Sequence, residues 1–169
     1  MPAGRIARRL QLAPTDQVLE VGCGPGFFSP AIARSLSAGH LTLFDAQGPM
    51  LEMAAQRLTG AGLANFTAVL GLADKLPFPD AAFDVVFMIT VLGEVPDRAT
   101  AVKEAARVLR PGARFSSTEA AGDPDRVSRA ELDELAGLAG LAKAESWSGL
   151  PVQTFNYSKP AGSILATKR

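Results

Sequence analysis

The sequence contains one cysteine, one histidine, one tyrosine and one tryptophan in 169 residues, and its 17 basic and 17 acidic side chains cancel. The lone thiol, Cys23, rules out an intramolecular disulfide and gives no sign of an oxidising compartment. The lone His40 excludes a multi-histidine metal centre, so no metal site is expected. A neutral chain has no global field to draw it onto nucleic acid or anionic lipid, and no nucleic-acid partner is expected. The N-terminus lacks the 7–15-residue apolar stretch of a signal peptide. The longest apolar run, Val85–Leu92, is far short of the roughly 20 residues that span a membrane. These absences predict a soluble, cytoplasmic protein with no membrane span.

What is present is an alternation of strand-like and helix-like segments. A short helical segment within residues 1–16 carries Arg5, Arg8 and Arg9, read as a solvated basic face. Gln17–Val21 reads as a buried strand ended by glycines. Phe28, Ile32 and Leu36 recur at helical spacing over Phe27–Leu36. His40–Phe44, closed by Asp45, is a second strand, and Pro49–Leu58 a second helix with Gly60 and Gly62 as stop signals. Asn65–Leu70 and Phe83–Ile89 read as further strands, separated by the proline-punctuated Lys75–Asp80. Near-continuous apolarity places Phe83–Ile89 at the centre of a parallel sheet. Asp97–Leu109 and Val127–Leu138 are predicted helices, and Ala113–Thr118, Leu141–Trp147 and Ser163–Thr167 predicted strands. Repeated β-then-α units imply one doubly wound α/β domain over residues 1–169, with helices on both sheet faces and no separate substrate domain.

In such sheets, ligands bind beyond the carboxyl ends of the strands. The first strand ends in Glu20-Val21-Gly22-Cys23-Gly24-Pro25-Gly26-Phe27. Glycines let backbone approach a ligand closely, and a following helix offers free N–H groups. The dinucleotide pattern G-x-G-x-x-G would need glycine where Phe27 stands, so the spacing is G-x-G-x-G, preceded by an acid. Asp45 lies about 20 residues beyond the loop, where an acid accepts hydrogen bonds from a ribose diol. The bland reading of Asp45 is a helix N-cap, but Pro49 favours Gln47 or Gly48 for that task, and we favour the ribose.

Together the segments VLEVGCGPGFFSPAIA, LTLFDAQGPML, LADKLPFPDAAFDVVFMITVLGEVPD and EAARVLRPGARF resemble the successive motifs of class I S-adenosylmethionine-dependent methyltransferases. Within that superfamily the chain most resembles the small quinone-biosynthesis-like (methyltransferase type 11) group, from about Leu12 to Ala120. The resemblance implies a Rossmann-like seven-stranded sheet, mostly parallel, with the last strand antiparallel. It implies S-adenosyl-L-methionine as cofactor, S-adenosyl-L-homocysteine as product, and a small or medium-sized acceptor methylated at oxygen, carbon or nitrogen. Residue by residue, Glu20 and the backbone of Gly22, Cys23, Gly24 and Gly26 would hold the methionine part, and Asp45 the ribose. Ala46 and Met50 would lie against the adenine, Leu72, Ala73 and Asp74 along its edge, and Ile89 and Thr90 beside the sulfonium. The chain departs from the pattern at Leu72, where relatives usually carry Asp, at Gly93 and Glu94, where they often carry His, and in the dozen residues ahead of the core.

Glu94 is the catalytic candidate, for orienting the acceptor or removing its proton; the alternative is a helix-entry acid ahead of Val95-Pro96-Asp97. Tyr157 and Glu119 are further candidates, each balanced by a packing role. His40, at the opposite end of its strand, is expected at the surface, and Cys23 as loop packing rather than a nucleophile. With so short an N-terminus, an exposed cleft lined by Phe27, Thr90 and Glu94 is expected, and a homodimer is one way to cover it. The resemblance to the cytosine-C5, arsenite and nucleic-acid amino methyltransferases stops at motifs this chain lacks. Two rival readings remain: a cofactor-binding module that is non-catalytic or completed by a partner, and a nicotinamide-dependent reductase. Phe27 opposes the reductase, as does Ala161 standing where Tyr-x-x-x-Lys would put lysine after Tyr157.

Overall fold

The computed structural model describes residues 3–149 and 151–161 of the chain. The helices are α1 (Ala3–Leu10), α2 (Ser29–Ser35), α3 (Gly48–Gly60), α4 (Arg98–Val108) and α5 (Arg129–Leu138). The strands are β1 (Gln17–Val21), β2 (His40–Asp45), β3 (Phe66–Leu70), β4 (Phe83–Ile89), β5 (Leu109–Ala120), β6 (Ala142–Trp147) and β7 (Val152–Ser158). They form one seven-stranded sheet in the order β3-β2-β1-β4-β5-β7-β6. β1 to β5 pair in parallel, and β7 runs antiparallel to both of its neighbours. This is the Rossmann-like sheet predicted, with the strand order reversing between β1 and β4.

Alternation along each strand divides the core into two layers. Val18, Leu41, Leu43, Val85 and Phe87 pack on one face against Ile6, Leu10, Ile32, Leu51, Ala54 and Leu58 of α1, α2 and α3. Leu19, Val21, Phe44, Val86, Met88 and Phe115 pack on the other against α4 and α5. α4 starts at Asp97, whose carboxylate accepts the Thr100 N–H at 2.9 Å and the Thr100 hydroxyl at 2.7 Å, a side-chain N-cap. Ser128 caps α5 in the same way.

The predicted elements are recovered with short boundary shifts up to β6, and two expectations need correction. The strand between β5 and β6 is Val152–Ser158, missed because polar residues hid the strand pattern; Ser163–Thr167, also expected as a strand, lies outside the described residues. Its alternate side chains Thr154 and Asn156 are buried rather than solvated, and Thr154 shares a hydrogen bond with Thr118 at 3.0 Å. The second correction concerns the basic helix. Arg5 and Arg8 are exposed, but Arg9 donates from Nη1 to Thr154 Oγ1 at 3.1 Å, and Asn156 donates to the Arg9 carbonyl at 3.0 Å. Arg9 therefore docks α1 onto β7 at the level of Thr118, which pairs in turn with Ile89 at the carboxyl end of β4. Among the described residues no helix is long and apolar enough to cross a membrane.

Candidate functional site

The glycine loop after β1 is built around the end of β2. The N–H groups of Gly22 and Cys23 both donate to the Phe44 carbonyl, at 2.7 and 3.1 Å. The Gly24 N–H donates to Asp45 Oδ2 at 2.8 Å, and Asp45 Oδ1 accepts the Gln47 N–H at 2.9 Å. One buried carboxylate thus ties the glycine loop to the turn that opens α3. Gln47 is the N-cap residue of α3, so Asp45 is not its cap. α2 starts at Ser29, two residues later than the apolar spacing predicted, after a series of turns.

The glycines divide by what surrounds them. A Cβ on Gly22 would collide with Val91, and one on Gly26 would press on the backbone of Ala54. A Cβ on Gly24 would meet nothing within 4 Å. Gly24 lines a cleft of about 470 Å³ beyond the ends of β1, β2 and β4, whereas Gly26 does not. Gly26 stands outside that lining, at a packing position that lets α3 approach the loop.

Glu20, on the face of β1 toward α2, is only 3% exposed. It accepts the Ser29 hydroxyl at 2.6 Å, and it lines the cleft. Burial pushes its carboxyl up to about 8; the Ser29 hydrogen bond works against that shift, and the nearby Asp45 adds to it. Cys23 is buried in the loop, and burial followed by the charges of Glu20 and Asp45 raises its thiol, the opposite of what a nucleophile needs.

Cys23, Ala46, Met50, Leu72, Ala73, Asp74, Ile89, Thr90 and Glu94 also line the cleft, as does Phe27, which is 58% exposed. Glu94 ends a short 3-10 turn, Leu92–Glu94, and is exposed; the helix-entry role offered as its alternative belongs to Asp97. Sequence reasoning missed Phe44, Gln47, Val91, Val95 and Pro96 in the lining. The Val91 contact over Gly22 was invisible because it joins segments about 70 residues apart.

Two candidates are withdrawn. Glu119 is 1% exposed and turns away from the cleft, accepting the Ser117 hydroxyl at 2.7 Å and the Val127 N–H at 3.3 Å. Tyr157 is a core residue on β7 whose hydroxyl donates to Asp133 at 2.8 Å; burial, then Asp133, raises its pKa. His40 is half-buried at the start of β2, at the end of the strand remote from the cleft, with a ring nitrogen 3.3 Å from Thr67 Oγ1. Among the described residues no His, Cys, Asp or Glu cluster is placed to hold a metal ion.

Residues 19–117, from the glycine-loop strand through most of β5, match the family described as a methyltransferase domain. The chain belongs to that family. The domain is 38% identical over 120 residues to a demethylmenaquinone methyltransferase of Lactiplantibacillus plantarum, covering 70% of this chain and 50% of that protein. It is 33% identical over 155 residues to the O-methyltransferase rstn1 of Aspergillus nomiae, covering 88% of this chain and 68% of that one. The chain spans about half the length of the first of these relatives. A crystal structure of a SAM-dependent methyltransferase from Aquifex aeolicus superimposes with a TM-score of 0.86 at 22% identity, over 94% of this chain and 89% of that one, a likeness of fold. The cofactor that this family and fold imply is S-adenosyl-L-methionine.

The lining of the methyltransferase domain fits that cofactor. An open position at Gly24 leaves room for a ligand against the backbone, and two buried carboxyl groups face the same space. They suit a molecule that carries an ammonium group and a ribose diol.

Proposed function

We propose that this domain catalyses methyl transfer from S-adenosylmethionine to a small or medium-sized acceptor by in-line displacement. The observation that carries the reading is the Asp45 staple, which holds the glycine loop open beside buried Glu20. Glu20 accepts from the ammonium of the methionine part, and the backbone from Gly22 to Gly24 follows its contour. Asp45 turns its remaining lone pairs to the ribose hydroxyls, Ala46 and Met50 flank the adenine, and Leu72, Ala73 and Asp74 form its edge. Ile89 and Thr90, at the end of β4, stand on the methyl side.

When bound, the cofactor supplies an electrophilic methyl group whose carbon–sulfur bonding pair stays with sulfur. The acceptor's lone pair forms the new bond to that methyl carbon, so a neutral O–H or N–H acceptor must also shed one proton. Glu94, exposed in the same cleft, orients the acceptor and takes that proton directly or through water. Alignment is the larger contribution, equivalent to effective molarities of about 10⁵–10⁸ M in favourable cases.

A second reading is a cofactor-binding module completed by a partner or a second copy. It is favoured by the exposed Phe27 at the rim and by α1, which docks on β7 and has no described residue in the cleft lining. Calorimetry and thermal melting with S-adenosylhomocysteine, followed by an acceptor screen, separate the two. Binding with turnover is the expected outcome; binding without turnover until a partner is added favours the module. No shift in melting at millimolar S-adenosylhomocysteine, with a shift from NADH, overturns both.

A further inference from the structure

The cleft is one-sided in the side chains that line it: acids, and no bases among the described residues. Glu20, Asp45, Asp74 and Glu94 all line it, and among the described residues no lysine, arginine or histidine does. Arg98, four residues beyond Glu94, is committed elsewhere: its guanidinium donates to the Gly93 carbonyl at 2.9 Å and to Glu131 at 2.8 Å. Lys75 follows Asp74 but is exposed and outside the lining. Glu20 and Asp45 lie at the buried base of the cleft, and Glu94 lies at its exposed end beside Val95 and Pro96.

Thr90 adds a second, independent constraint. Its φ is +53°, a left-handed conformation that a β-branched residue adopts only under constraint. The constraint is visible: its N–H donates to the Thr118 carbonyl at 2.8 Å, and its hydroxyl donates to the Ile89 carbonyl at 2.7 Å. With its only hydroxyl proton engaged, Thr90 Oγ1 presents lone pairs alone to the cleft. An ionised Glu94 likewise only accepts. The polar side chains at the methyl end therefore call for hydrogen-bond donors, and Glu94, the lining acid that the cofactor leaves free, repels anions.

We infer that the domain selects acceptors that present a neutral O–H or N–H at the reacting atom, on an apolar body resting against Phe27, Val95 and Pro96. It rejects acceptors carrying a carboxylate, phosphate or other fixed negative charge next to that atom. The inference rests on the methyl-transfer reading and narrows its substrate class.

The test uses matched pairs of ring compounds bearing a hydroxyl or an amine, each with and without an adjacent carboxylate. Their binding is titrated into the full chain saturated with S-adenosylhomocysteine. We expect the neutral member of each pair to bind at least about tenfold more tightly, with the ratio shrinking as salt is raised. Glu94→Gln should bring the ratio toward one, and Glu94→Lys should invert it. Asp74→Asn, as a second variant, should lower it less. Equal or tighter binding of the carboxylated members overturns the inference, as does binding of neither member at millimolar concentration. Failure of S-adenosylhomocysteine itself to bind, read first in the same calorimeter, overturns the methyl-transfer reading instead.

Discussion

Glu20 and Glu119 make an instructive pair. Each stands near the carboxyl end of a parallel strand, each is almost wholly buried, and each accepts one serine hydroxyl at 2.6 or 2.7 Å. Burial raises the pKa of both. They differ in what comes next in the chain. After Glu20 a glycine loop folds back over the end of β2, leaving one side of the carboxyl open to a cleft. After Glu119 the loop toward α5 returns close enough for the Val127 N–H to occupy the second carboxyl oxygen, and nothing is left open. A buried acid at a strand end becomes a binding group only where the following loop withholds its own donors.

The largest expected effect tests that difference directly. Glu20→Gln should weaken S-adenosylhomocysteine binding by about 2–3 kcal/mol, the upper range for a hydrogen bond to a charged group. Glu119→Gln should change it by less than about 0.5 kcal/mol, since a distant, unconnected site leaves the binding energy alone. Calorimetry on the two variants checks both, and equal losses would erase the contrast.

Asp45→Ala comes next, with an expected loss of about 1.5–2 kcal/mol in the same measurement. Because Asp45 also holds the Gly24 and Gln47 amides, the variant should show faster amide exchange at both residues in the ligand-free protein. Unchanged exchange would mean that the loop keeps its shape without the staple.

The smallest effect is in the pH dependence. A carboxyl whose pKa in the folded state lies above that of the unfolded chain retains a proton that the unfolded chain has lost. The stability it contributes is complete below the unfolded value of about 4.3 and is lost as pH rises toward the folded value of about 8 for Glu20. Melting of the ligand-free protein should therefore fall between pH 5 and pH 8, and Glu20→Gln should flatten that slope. Ligand affinity should run the other way, rising with pH up to about 8, because an ammonium favours the ionised carboxylate. A slope untouched by Glu20→Gln would place the titration elsewhere, with Glu119 the first alternative.

Local chemistry made most of this legible in the amino-acid sequence. β1 and β2 are apolar runs ended by glycine and by acid, β4 is a nearly continuous apolar run, and α3 and α4 carry helical spacing, so each is determined within a few residues. The glycine spacing beside Glu20 and the acid at Asp45 likewise pointed to a ligand before any contact was known. Tertiary structure alone decided the rest. It placed β7 in the sheet, because Thr154 and Asn156 are buried only by partners on α1 and β5. It separated Gly24 from Gly26, and Glu20 and Glu94 from Glu119, because each distinction depends on what a distant segment brings alongside. A residue's type is local, but whether its polar atoms meet protein or open space is set by chain segments far away in sequence.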